Sequence, residues 1–332
     1  MDCEPEELQF LSILGIYRES AKLIHSWRSL FARIAVSLVL PLSLLFLLHI
    51  QISYYLFNSI DSDDSALDRA APDSAAEHRI LQRLASDWMK LLIFKGVYLV
   101  ALLVLAMLST AAAVYSVASI YSSKELSFSR VLSVVPKVWR RLMVTFVAAF
   151  VLLFGYNTLA ISGLVLVLLM LDGTVVAAPA AVLFAFFYLA GLIYLSIIWH
   201  LASVISVLED SKGFEAMRKS RLLIKGKIWT AAGIFTLLNF GFVTVEVTFR
   251  ELVVKGAGMG PATRVFYGFV ILVLMCAFVL FALVVQTVVY FVCKSYHHES
   301  IDKSNLSDHL EVYLGEYVPL KAKDVQLEQF HV

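Results

Sequence analysis

Long, unbroken apolar runs dominate the pattern of hydrophobic and polar positions along this chain. Six of them, at about 34–57, 91–121, 142–170, 175–208, 229–249 and 265–292, alternate with shorter polar or charged segments. A helix needs about 20 apolar residues to cross a hydrocarbon core of roughly 30 Å, so each run predicts a membrane-spanning helix. Several exceed that length and are expected to tilt or to extend past the bilayer. The expected fold class is all-α. It is a polytopic membrane protein with six transmembrane helices in residues 34–292, an N-terminal arm in 1–33 and a tail in 293–332. Pro41, in LVLPLSLL, removes a backbone hydrogen bond inside the first span and predicts a kink. Asp172, Gly173 and Pro179 predict a tight turn between the third and fourth spans.

Outside the spans the periodicity changes. In the arm, Phe10, Ile13, Leu14, Tyr17, Ala21, Ile24 and Phe31 recur at helical spacing, with Arg18, Glu19, Lys22, Ser26 and Ser29 opposite. This predicts an amphipathic helix that either lies in the headgroup plane or packs against the protein's own connections. In the loop 58–90, the run DSDDSALDRAAPDSAAEHR predicts a solvated first half, and EHRILQRLASDW a helix that leads into the second span. DSDDS lacks the glycine and terminal glutamate of an EF-hand loop, so a solvated segment is expected rather than a calcium site.

Composition removes whole classes of function. The 332 residues are 60% hydrophobic and 16% charged, whereas soluble domains run at about 45–50% apolar and about 25% charged. A soluble enzyme, a disordered chain and a nucleic-acid binder are thereby excluded. The net charge of +1 conceals an asymmetry. The arm, the 122–141 and 209–228 connections and the tail hold 19 of the 27 Lys and Arg residues, against seven in the loops on the other side. The positive-inside rule then places both termini in the cytosol, in the endoplasmic reticulum, Golgi or plasma membrane. The acidic opening MDCEPEELQF is unlike a signal peptide, so the first span is expected to be retained. Cys3, Cys276 and Cys293 do not suit an extracellular disulfide framework. Cys293, beside Lys294, is either a setting for S-palmitoylation or a plain juxtamembrane thiol. The sequon Asn305-Leu306-Ser307 falls on the cytosolic tail and is not expected to be glycosylated, and the adjacent His297 and His298 do not have i, i+4 metal-ligand spacing.

The two basic connections resemble each other. Each follows a long span with Ser-Lys (123–124 and 211–212), then Phe128 or Phe214, a basic amphipathic segment, and Trp139 or Trp229 at the next span. The unit reads as a duplicated span–basic elbow–span. Candidate headgroup contacts are Lys137, Arg140 and Arg141 in the first elbow and Arg218, Lys219, Arg221, Lys225 and Lys227 in the second, with Met217, Leu222, Leu223 and Ile228 entering the interface. The alternative is a topology signal with a Trp anchor.

The second elbow, EDSKGFEAMRKSRLLIKGKIW, resembles a signature of multi-pass proteins related to the membrane domain of glycerophosphoryl diester phosphodiesterases, E-x-x-G-x-x-A-x-x-x-S-x-x-L-x-x-G. Glu209 or Asp210, Gly213, Ala216, Ser220, Leu223 and Gly226 stand in its places. The opening FLSILGIYRESAKLIHSWRSLFARIAVSLVLPLSLLFLLHI resembles a plant family of uncharacterised membrane proteins, some labelled as partners of a polyadenylate-binding protein. The resemblance implies a membrane fold over most of the chain and no catalytic residues. The soluble phosphodiesterase domain has no counterpart, so its reaction is not expected here.

Polar residues inside spans are costly and are the default functional candidates. Here they are His49, Gln51, Asn157, His200, Asn239, Glu246 and Gln286, with Arg250 at a span end. Glu246 and Arg250, at i, i+4, form either a structural ion pair or, if Glu246 faces a hydrated cavity, a cation or proton site. Asn157 and Asn239, each beside glycine and aromatics, are expected to bond helix to helix. No G-x-S-x-G, H-E-x-x-H or P-loop is present, and KGAGMGP at 255–261 lacks the Lys-Ser/Thr of a P-loop. The expected protein is not an enzyme and takes no cofactor or metal. It is a structural, adaptor or trafficking component that contacts anionic cytosolic-leaflet lipids and protein partners, but not nucleic acid. The alternative is a channel or carrier using Glu246.

Overall fold

A computed structural model describes residues 7–69, 74–122, 128–171, 174–256 and 258–297, apart from the side chains of Glu7, Leu8, Arg130 and Lys137. The expectations for Cys3, Ser123-Lys124, Asp172, Gly173, His298 and the sequon at Asn305 lie outside the described residues. All regular structure among the described residues is helical. The helices are α1 (Ile13–Ser26), α2 (Arg28–Ile34), α3 (Leu40–Leu67), α4 (Ala75–Tyr121), α5 (Phe128–Met170), α6 (Ala177–Leu208), α7 (Phe214–Leu223), α8 (Ile228–Phe249) and α9 (Pro261–Tyr296). Six stretches are long and apolar enough to cross a membrane: Arg28–Leu67, Ala75–Tyr121, Val138–Met170, Ala177–Leu208, Ile228–Lys255 and Pro261–Tyr296.

Proline shapes the first of these. Pro41 has no N–H, and in a regular helix its ring would press on the carbonyl of Ser37. The chain widens into a π-helical stretch, Ala35–Val39, just before α3, which gives that carbonyl room. At its other end α3 runs on to Leu67, so Asp61, Asp63 and Asp64 are helical where the sequence reading expected a solvated loop. Pairing with α4 supplies the reason. α3 packs along α4 with Ile60 buried, and Ser59 Oγ donates to Asp87 Oδ2 at 2.9 Å across the pair, while Lys90 Nζ holds that carboxylate from within α4 at 2.7 Å. α4 opens on a serine N-cap, Ser74 Oγ accepting from the Glu77 N–H at 3.1 Å. At 1.5 Å per residue its 47 residues reach about 70 Å, far beyond a hydrocarbon core.

Burial is concentrated at the end of the bundle that carries the elbows. Residues 109–121 of α4, 201–208 of α6 and 284–293 of α9 are buried almost without interruption. The far half of the α5–α6 pair instead exposes Phe154, Leu159, Ile161, Phe186 and Phe187, an apolar surface suited to acyl chains. α1 packs on α8 and α9 through Ile16, Ser20 and Leu23. The Tyr17 hydroxyl donates to the Ile234 carbonyl at 2.9 Å, and its ring stacks on Phe281. Phe10 and Leu14 of the arm stay exposed.

Candidate functional site: the basic elbow face and the polar interior

The second elbow is built around one carboxylate. α6 stops at Leu208, and Glu209 turns inward: its Oε1 accepts from the Tyr290 hydroxyl at 2.7 Å and from Lys294 Nζ at 3.4 Å, and its Oε2 lies 2.6 Å from Lys219 Nζ. Burial pushes this carboxyl up, but the bonds from Lys219 and Tyr290 and the charge of Lys294 outweigh it. The net effect holds Glu209 below the usual glutamate range. Asp210, the other candidate for that signature place, is exposed and pairs with Arg141.

The remaining signature positions are all consumed by packing. Gly213 starts α7 at φ 59°, and its N–H donates to Thr145 Oγ1 at 2.8 Å; Thr145 in turn bonds Ser206 at 2.6 Å. Ala216, Ser220 and Leu223 line the buried face of α7, and Ser220 Oγ donates to the Ile198 carbonyl at 2.9 Å. Gly226 sits at φ 88° against Tyr296, where an added Cβ would collide with the ring. Met217 is also buried against the protein rather than in the lipid interface, as is Leu223, because α7 lies directly against α6. Only Leu222 of the expected apolar contacts on α7 is exposed.

The first elbow takes another form. α5 runs unbroken from Phe128 through Pro136 to Met170, with Val131, Val134, Val138 and Leu142 facing inward. The Phe anchors of the two elbows are 86 residues apart and the Trp anchors 90. The four extra residues of the second elbow are its turn, Ile224 to Lys227, between α7 and α8.

The basic candidates divide into two groups. Lys219 pairs with Glu209, Arg141 with Asp210, and Lys227 Nζ sits 5.3 Å over the Tyr296 ring. Arg140, Arg218, Arg221 and Lys225 are exposed, and so are the aromatic groups Trp139, Phe214 and Trp229. The Lys137 side chain is outside those described. Cys293 is enclosed in the core, which removes the accessible thiol that lipidation requires.

Inside the bundle, all six spans meet around a cavity of about 350 Å³, to which Ser43, Thr110, Phe146, His200, Asn239 and Gln286 each contribute from a different span. The His200 ring lies between Trp199 and Phe235, and its Nδ1 is 2.9 Å from Gln286 Oε1. An amide oxygen only accepts, so Nδ1 carries the proton in this contact. Gln286 Nε2 and Ser43 Oγ are buried without a partner. An unsatisfied buried polar group costs about 1–3 kcal/mol, so a hydrogen-bond partner supplied to either atom would be stabilising.

A second polar group lies nearer the opposite end. Lys95 Nζ contacts His49 Nε2 at 2.7 Å and Ser53 Oγ at 3.0 Å, while the His49 ring stacks on Tyr98 with centroids 3.7 Å apart. Arg250 Nη2 donates to Glu246 Oε1 at 2.7 Å. This ion pair is an electrostatic neighbour of Tyr98, His49 and Lys95. Glu246 does not line the central cavity. Asn157 bonds between helices, accepting from the Tyr188 hydroxyl at 2.7 Å, and the glycine that permits this approach is Gly191 of α6 rather than Gly155.

With this geometry described, comparison with known proteins gives one result. A family model described as "Domain of unknown function (DUF8558)" matches residues 1–330. The chain belongs to the DUF8558 family. No curated protein and no solved structure matches it. Within this DUF8558 chain, sequence reasoning missed the grouping of Lys95 with His49 and of His200 with Gln286. Lysine in an apolar run was the available signal for the first. The second links residues 86 positions apart, and nothing local announces it.

Proposed function

We propose that this DUF8558 chain is a non-enzymatic integral membrane protein whose basic elbow face, together with both termini, lies on the cytosolic side of an endomembrane or plasma membrane. There it docks on anionic headgroups and serves as a structural, adaptor or trafficking component. One observation carries the reading. The acids beside the second elbow, Glu209 and Asp210, are paired within the protein, which leaves Arg140, Arg218, Arg221 and Lys225 exposed alongside Trp139 and Trp229, with Glu215 the only acid in α7. Cations flanked by exposed tryptophan match a headgroup boundary. At about 1 kcal/mol per basic residue near an anionic leaflet, four contribute roughly 4 kcal/mol.

The test is the preference of the purified protein for phosphatidylserine over phosphatidylcholine, read by native mass spectrometry. Changing the four exposed cations to Gln is expected to lower that preference at least tenfold. An unchanged preference overturns the reading.

We also read the two elbows as copies of one unit. Inward positions at the same 86-residue offset support this, since Val131 and Val134 correspond to Met217 and Ser220, all buried. The resemblance to phosphodiesterase membrane domains then concerns how an elbow packs, and carries no reaction. A channel or carrier using Glu246 has less support, because Glu246 is paired with Arg250 and stands apart from the cavity.

A further inference from the structure

The central cavity is unusual in its chemistry. Its lining is mostly apolar, yet it includes two buried polar atoms without a hydrogen-bond partner, Ser43 Oγ and Gln286 Nε2, in residues 1% and 3% exposed. The orientation of Gln286 is set from behind. Its Oε1 accepts from His200, and His200 is fixed by stacking against Trp199 and Phe235. The amide therefore presents Nε2, a donor, and a complementary ligand must offer an acceptor. No Asp, Glu, Lys or Arg lines the cavity, so a charged ligand would be buried without a counter-ion, at a prohibitive desolvation cost. At about 30 Å³ for each water-sized unit, 350 Å³ admits on the order of a dozen non-hydrogen atoms.

We propose that this cavity, which is not fully enclosed, takes the polar end of a neutral amphiphile, whose carbonyl or hydroxyl oxygen accepts a hydrogen bond from Gln286 Nε2 with the Ser43 hydroxyl beside it, while the rest of its apolar chain or ring system extends out of the cavity. Neutral acylglycerols and sterols share this chemistry. A long-chain fatty acid, anionic at neutral pH, does not. The cavity is separate from the basic elbow face, so the inference does not depend on headgroup docking.

The test uses the full-length protein, purified and placed in nanodiscs, with clickable diazirine probes built on a monoacylglycerol, a sterol and a fatty acid. Adducts are mapped by peptide mass spectrometry. The expected result is attachment of a neutral probe within residues 199–203 or 275–286. Competition by excess unlabelled monoacylglycerol or sterol identifies which of the two is bound. Gln286→Leu, which keeps the bulk and removes the donor, is expected to lower that labelling at least fivefold, as is Ala106→Phe, which fills the cavity from α4. Because the site is mapped in the unmodified protein, the conclusion survives if either variant fails to fold. Labelling confined to lipid-facing positions such as Phe186 and Phe187 overturns the proposal. Equal labelling of the cavity by the fatty acid, or undiminished labelling in a folded Gln286→Leu protein, does the same.

Discussion

Removing the Glu209 carboxylate is the perturbation whose consequence the structure defines most closely. Glu209→Ala deletes the acceptor of the 2.7 Å bond from Tyr290, whose side chain is 1% exposed, and the partner of Lys219 at 2.6 Å. A hydrogen bond to a charged group is worth about 1.5–3 kcal/mol. The Lys219 contact is discounted to about 1 kcal/mol or less because that lysine is 38% exposed. The expected loss is therefore about 3 kcal/mol, or about 6 °C in the apparent unfolding temperature at roughly 2 °C per kcal/mol. Fluorescence-detected size exclusion after heating in detergent measures it. Asp210→Ala is the control: its carboxylate is 72% exposed, so a shift under about 2 °C is expected. The pH dependence has a definite sign. The folded pKa of Glu209 lies below the ordinary value, so its stabilisation is present above about pH 4.3 and is lost as pH falls through the lower folded value. Glu209→Gln should lack this acid-dependent component. If Glu209→Ala costs no more than Asp210→Ala, the clasp does not hold the elbow and the reasoning fails.

Three further outcomes follow from close contacts. Gly226→Ala forces a side chain onto φ 88° and against the Tyr296 ring, and is expected to cost about 1–3 kcal/mol in the same thermal assay. In Gly191→Ala the new Cβ falls where the Tyr156 side chain packs, so it should displace the 2.9 Å bond from Tyr156 to the Tyr188 carbonyl; most of the penalty should vanish in a Tyr156→Ala background. A double-mutant cycle on Glu246 and Arg250 should give a coupling below about 1 kcal/mol, as for other part-exposed i, i+4 pairs, and a coupling above about 3 kcal/mol would contradict a peripheral structural role.

How far the chain could be read depended on the range of the forces involved. The bilayer imposes a length on each apolar run, so six spanning helices were legible from hydropathy alone. The helix that leads into the second span was legible in EHRILQRLASDW, yet the helical state of Asp61 to Asp64 was not, because α3 is extended there by packing against α4. The i, i+4 spacing of Glu246 and Arg250 announced their contact. In the elbow, the signature residues stood out as a pattern, but their role did not. Alternation of Ala216, Ser220 and Leu223 with basic residues reads equally well as a helix on lipid or on protein, and only the placement of α7 against α6 decides between them. The cavity was illegible for the same reason, since its lining is gathered from six helices far apart in sequence.

The central claim is that the basic elbow face lies on the cytosolic side, against the anionic leaflet. Thiol accessibility in sealed microsomes of known orientation tests it most directly, using a background with the three native cysteines removed and a single cysteine introduced at Lys225 or at Thr174, both exposed and at opposite ends of the spans. The account predicts that a membrane-impermeant maleimide added outside cytosol-out vesicles labels position 225 at once and position 174 only after permeabilisation. Immediate labelling at 174 with protection at 225 would contradict it.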